Sequence, residues 1–238
     1  MVHVLAVADE VVDALTFGVG VQRRPDIILG AGDLPYSYLE VLTGLFDAPC
    51  VFVPGNHDTD LRGYRRGRTG WTHAGLPAND PGPGGAINAD CRTVQVAGLT
   101  ISGIGGCRRY NSGANQYTES QQRLRSWQLT CRRPRPDILL THSPARGVGD
   151  ADDPPHRGFD CYHHLVRRLS PTLLVHGHVH PYGTRPEDKI IGEDTISMNV
   201  VGYCEFDITP RSVTRASIAT HGGVEQREFA IVRRRHGA

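Results

Sequence analysis

Asp, Asn and His residues recur at the ends of short apolar runs along this chain. VLAVAD closes on Asp9, DIILGAGD on Asp33, and CVFVPGNHD on Asn56, His57 and Asp58. DILLTH closes on His142, and TLLVHGHVH on His176, His178 and His180. Open α/β sheets bind ligands outside the carboxyl ends of their strands, so such ends bearing oxygen and imidazole donors point to one shared site. Singly the pieces carry little: a lone Gly-Asp is ordinarily a turn, and a lone buried histidine a satisfied core residue. His178 and His180 alternate onto one side of an extended segment and can share a cation. Carboxylate and amide oxygens with imidazole suit divalent Mn, Fe, Zn, Ni or Mg. The six cysteines form no C-x-x-C pair, which argues against a structural zinc site. Two cations about 3.5–4 Å apart, bridged by an aspartate, can hold a hydroxide in line with phosphorus and stabilise the leaving oxygen.

The order Asp9, Gly32-Asp33, Gly55-Asn56-His57-Asp58, Thr141-His142 and Gly177-His178-Val179-His180 resembles the calcineurin-like metallophosphoesterase superfamily, from residue 4 to about 208. GIGGCRRYNSGANQYTE (103–119) and THSPARGVGDADDPPHRGFD (141–160) resemble its small bacterial phosphoesterases. The resemblance implies an α/β (α+β layered) two-sheet β-sandwich flanked by helices, with a dimetal site at the strand ends. By position it implies that Asp33 bridges two divalent metal ions. Asn56, His142 and His178 complete one metal; Asp9 and His180 serve the other, along with a histidine where this chain has Val11. Water or Glu10 is expected to fill that place, and a carboxylate there would favour Mn or Mg over Zn. His57 takes the place of the histidine that steadies the phosphoryl group or protonates the leaving oxygen, with Asp58 beside it. In the Ser/Thr protein phosphatases the second motif continues G-D-x-x-D-R-G. Here it reads GDLPYSY, so Tyr36 and Ser37 replace the Asp and Arg and that branch is rejected.

Substrate contact is expected from the loop 103–119, where Gly103, Gly105 and Gly106 let the backbone approach a ligand. Arg108 and Arg109 can offer forks to phosphate oxygens, and Tyr110 and Asn111 can donate hydrogen bonds. His156 is expected to line the cleft. The favoured reading is hydrolysis of a phosphodiester or phosphomonoester in a small molecule by a metal-held hydroxide, without a covalent intermediate. The alternative is a weak or inactive phosphoesterase fold serving as a binding or scaffold module, motivated by Val11. A third reading makes Arg62, Arg65, Arg66 and Arg68 a phosphate-contacting arm for a nucleotide or nucleic acid. Against it stand a formal net charge of +1 and no interleaved aromatic platform.

Positioning these groups requires strands that end together. Apolar runs predict strands at 2–8, 26–30, 50–53, 92–97, 99–104, 136–141 and 172–176, with further β character at 189–191, 195–208 and 212–218. Helices are expected near 35–45, 118–130 and 158–169. Residues 60–90 are rich in Gly, Pro, Arg and Asn and exceed an ordinary connection. The 238 residues are expected to form one domain, with 221–238 a terminal strand and frayed tail. No run approaches the roughly 20 apolar residues that span a bilayer, and no signal-peptide pattern opens the chain. A cytoplasmic protein with reduced thiols is therefore expected, Cys107 standing apart because of its glycine-rich loop. The oligomeric state is left open.

Overall fold

Residues 2–8 are apolar at every position but His3 because both faces of this strand are covered. Val4, Ala6 and Ala8 face one cluster, Leu5 and Val7 another. The computed structural model describes residues 1–131, 135–181, 188–210, 212–220 and 223–227. Within them the chain runs β1 (Val2–Ala8), α1 (Asp13–Thr16), β2 (Ile27–Gly30), α2 (Tyr36–Phe46) and β3 (Cys50–Phe52). Next come β4 (Tyr64–Gly67), β5 (Gly70–His73), β6 (Leu76–Ala78), β7 (Ile87–Asn88), β8 (Arg92–Val96) and β9 (Leu99–Ile104). β10 (Cys107–Arg108), β11 (Gln116–Tyr117), α3 (Glu119–Thr130), β12 (Ile138–Thr141), α4 (Cys161–Leu169) and β13 (Leu173–His176) follow. β14 (Lys189–Ile191), β15 (Thr195–Asn199), β16 (Gly202–Thr209), β17 (Ser212–Thr220) and β18 (Gly223–Arg227) complete it.

Two large sheets form, in the strand orders β18-β17-β16-β1-β2-β3-β7 and β14-β15-β13-β12-β9-β8. Their inner faces meet through residues such as Val4, Ile27, Leu29 and Val51 from the first, and Ile101, Leu140, Val175 and Met198 from the second. Helix α2 covers the outer face of the first sheet with Leu39, Leu42 and Phe46. On the second sheet, α4 packs Tyr162, Leu165 and Leu169 against Leu139 and Leu174. This is the helix-flanked β-sandwich that the resemblance implies.

The three expected helices form with small shifts. Thr118 caps α3 through a reciprocal box with Gln121, which fixes that start. Ser170 ends α4 in a left-handed turn, φ 47°, with Arg167 and Arg168 in the last turn, where cations suit the helix dipole. Two expectations need correction. The stretch 195–208 is not continuous: Val200 donates to the His176 carbonyl and Val201 bridges to Ala8, so the chain crosses from one sheet to the other there. Segment 60–90 contains the small sheet β4-β5-β6 and the edge strand β7 rather than plain loop. Strand β18 falls in the expected terminal strand, while residues 228–238 lie outside the described residues.

Candidate metal centre

The parallel strands β1, β2 and β3 end side by side, as do β12 and β13. Each hands the chain directly into a ligand segment at one end of the sandwich. Tight turns then aim the side chains: Asp9, Asp33 and His178 all have left-handed backbone, at φ 61°, 58° and 70°. Such conformations are costly for residues with a Cβ and persist only where surrounding structure enforces them. Two glycines make the close approach possible. A Cβ on Gly55 would collide with the Asp33 carboxylate, and one on Gly177 with Asp9 Oδ2 and the Ala8 side chain.

One donor atom from each of Asp9, Asp33, His142 and His178 lies within 4.8 Å of every other. The hydrogen bonds set the ring tautomers. A carbonyl oxygen only accepts, so His142 Nδ1 carries the hydrogen that bonds Ala31 O at 2.8 Å, which makes Nε2 the nitrogen that can give up its proton and present a lone pair to a cation. Likewise His178 Nε2 donates to Pro155 O at 2.8 Å, leaving the lone pair on Nδ1. His142 Nε2 then faces two further electron-rich atoms, Asn56 Oδ1 at 3.0 Å and Asp33 Oδ2 at 3.3 Å. Asn56 is oriented this way because its Nδ2 donates to the Tyr110 hydroxyl at 3.3 Å. Asn56 Oδ1, Asp33 Oδ2 and His142 Nε2 converge on one positive charge; a proton on Nε2 can supply it, and a divalent cation in its place would be bound by all three atoms, so this donor set fits one.

The titration behaviour follows from the same crowding. Burial disfavours a charged His142, but Asp33 and Asp9 outweigh it and push the ring up to about 9. Burial also opposes the Asp33 charge, yet His142 and the His57 N–H hold that carboxyl at about 2. Asp9 is pushed up to about 6, chiefly by burial, against the pull of His142 and the His178 N–H. His178 is driven down to about 3 by burial and by the neighbouring His142.

His180 and Glu10 lie outside this four-residue cluster and pair with each other, His180 Nδ1 to Glu10 Oε1 at 3.0 Å. Val11 is 40% exposed. His57 is exposed, and its backbone N–H donates to Asp33 Oδ1 at 2.7 Å. Asp58 turns inward instead. Its Oδ2 accepts the N–H groups of Gly55 at 2.7 Å and Asp33 at 3.0 Å, and among the described residues no hydrogen bond joins it to His57. A cleft of about 390 Å³ opens beside the cluster, lined by Asp33, Tyr36, His57, Asp58 and Thr59 among others.

The loops beside the cluster are held by their own bonds. Arg108 directs its guanidinium to Glu119 at 3.7 Å and Asp160 at 3.6 Å, and Arg109 donates to Gln116 O at 3.3 Å. Asn111 Oδ1 accepts from Gly113 N and Gln116 Nε2, while Tyr110 reaches the ligand Asn56. His156 is ordered by Asp153, Nδ1 to Oδ2 at 2.6 Å, and its ring lies 5.3 Å from that of His178. Cys107 is buried and its thiol is pushed up to about 12, so it does not stand apart as a reactive group. Sequence reasoning passed over Asn115, whose Nδ2 donates to the carbonyls of Gly55 and Asp58 and pins the Asn56 loop. Only its place in the glycine-rich loop could have signalled it.

The family model for calcineurin-like phosphoesterases matches residues 5–182, and the chain belongs to that family. Among curated proteins none matches it significantly. It is similar in fold to TT1561 of Thermus thermophilus, with 15% identity over 95% of this chain and 98% of that one, at a TM-score of 0.56. Another solved chain shares 16% identity over 94% of this chain and 98% of its own, at a TM-score of 0.63. A mutant Vps29 from Entamoeba histolytica has 15% identity over 95% of this chain and 99% of that one, at 0.45. Among the described residues no helix is long and apolar enough to cross a membrane.

Proposed function

We propose that this chain hydrolyses a phosphomonoester or phosphodiester bond in a small phosphorylated molecule, using two divalent metal ions, Mn favoured. The observation that carries this reading is the convergence of His142 Nε2, Asn56 Oδ1 and Asp33 Oδ2, each held in place by a bond from its other side. Asp33, Asn56, His142 and His178 would hold one cation; Asp9, Asp33 and His180 would hold the other, with Glu10 tied to His180. The chemistry such cations supply is charge neutralisation at the phosphoryl group and activation of water for attack on phosphorus. The chain's own residues do the positioning. His57, exposed at the cleft, is placed to donate a hydrogen bond to a phosphoryl or leaving oxygen. His156, oriented by Asp153, offers a second donor beside His178.

The test is direct. Purified protein is assayed for bound metal, then given bis(p-nitrophenyl) phosphate and p-nitrophenyl phosphate with and without added Mn. Metal-dependent hydrolysis is expected, falling by at least about a hundredfold in Asp33→Asn and His178→Ala. Wild-type rates no higher than those of Asp33→Asn, with every metal tried, would instead support the scaffold reading that Val11 motivates.

A further inference from the structure

Beyond the metal cleft, the small sheet β4-β5-β6 leans over the edge strand β7 and the segment leading into β8, and encloses a groove of about 490 Å³. That is the size of an ordinary small-ligand site. The pairing of β4 with β5 places Arg66 directly opposite Trp71 and Tyr64 opposite His73, so all four share one face. Tyr64, Arg65, Arg66 and Trp71 line one wall of the groove; Phe52, Ile87 and Arg92 line the other.

Several arginines of this protein are already paired. Arg23, Arg24, Arg62, Arg108, Arg125 and Arg146 each face a carboxylate. Arg65, Arg66 and Arg92 make no ion pair and no side-chain hydrogen bond among the described residues. Asp80 lies in the same groove but accepts the N–H of Gly82. Arg65 alternates to the other face of β4, so the groove offers two guanidinium forks, Arg66 and Arg92, with one carboxylate nearby, a pair suited to a phosphate. Trp71 has no ring partner among the described residues, whereas Tyr64 stacks on His73 at 4.3 Å. An indole beside these two forks suits a flat ring carried on a phosphate chain.

We propose that this groove binds a nucleoside phosphate, with the phosphates on Arg66 and Arg92 and the base against Trp71. The sequence showed Arg66 in a basic stretch without an interleaved aromatic platform; strand pairing supplies one by bringing Trp71 across from Arg66. The groove adjoins the metal cleft. Tyr36 lines the cleft and packs edge-on against Phe52 of the groove, ring centroids 5.8 Å apart, and Thr59 and Leu61 line the two cavities in turn. The site does not depend on the phosphoesterase reading, since its donors are arginines rather than metal ligands.

Binding is measured with EDTA present, in a Trp127→Phe background that leaves Trp71 as the one tryptophan of the chain. The four common ribonucleoside diphosphates, inorganic phosphate, the free nucleosides and a short RNA are titrated while indole fluorescence is followed. Saturable quenching by at least one nucleoside diphosphate is expected, weaker with phosphate or nucleoside alone. Arg66→Gln and Arg92→Gln, both at exposed positions, should each weaken it by about tenfold or more, the effect of losing a charge-assisted bond. Asp33→Asn should leave it unchanged. No saturable response up to roughly 10 mM of any diphosphate would overturn the proposal. So would binding equal to that of inorganic phosphate, or RNA preferred over every mononucleotide. Binding lost in Asp33→Asn but kept in Arg66→Gln would also overturn it and assign the nucleotide to the metal cleft.

Discussion

Asp58 sits beside His57 in the sequence, yet its carboxylate spends both of its hydrogen bonds on backbone N–H groups. Replacing it with alanine removes the shared acceptor of the Gly55 and Asp33 N–H groups. Each is a charge-assisted bond worth about 1.5–3 kcal/mol when its donor is left buried, so the pair amounts to roughly 3–6 kcal/mol. Asp58 is partly exposed, and solvent discounts this to about 2–4 kcal/mol. For a chain of this size the melting temperature should fall by roughly 5–15 °C. Both bonds end on the same oxygen, Oδ2, so Asp58→Asn can keep both through its single amide oxygen. It loses only a charge that burial and Asp33 already disfavour, and should melt within roughly 3 °C of wild type. Scanning calorimetry and Mn titration of the two variants form the assay. Metal affinity should drop in Asp58→Ala, because Asp33 is no longer held, and survive in Asp58→Asn. An Asn variant as unstable and as metal-poor as the Ala variant would refute the reasoning and show that the charge itself, not the acceptor, matters.

His3 is buried between Glu205 and Asp207, with 3.0 Å to each, close to Arg23, which pairs with Asp207, and to Asp26, which accepts the His3 N–H. Burial works against its charge, but the two carboxylates raise its pKa above 6.5, so its stabilisation is complete below about 6.5 and fades as pH climbs through the raised value. Melting curves from pH 6 to 9 should show a downward slope that His3→Gln flattens; an unchanged slope would count against the pairing. Gly177→Ala forces a methyl group onto Asp9 and should weaken metal binding by about tenfold or more, read by Mn titration. Val11→His restores an imidazole two residues after Asp9 and should raise affinity for the second cation; equal affinities would mean that Val11 does not occupy that place.

The candidate ligands were legible because each follows an apolar run. Parallel strands buried on both faces read as continuous hydrophobic stretches, and the first polar residue after such a stretch emerges at the sheet end. Hence Asp9, Asp33, Asn56, His142 and His178 stood out among the polar residues at run ends, the resemblance singling them out as ligands, and three helices were legible too, one of them fixed by its Thr118 cap. Segment 60–90 was not legible, because its strands bury little and so lack the alternation that marks a half-covered sheet: the burial of β4 and β5 is mostly exposed or intermediate. Tertiary structure alone decided that Glu10 turns to His180, that Asp58 staples backbone, and that Trp71 stands across from Arg66. These are side-chain orientations and cross-strand registers, set by contacts between segments far apart in the chain. The sequence by itself determined which atoms can hold a cation and where strands must stop to present them; which way each atom faces came only from the packing of the two sheets.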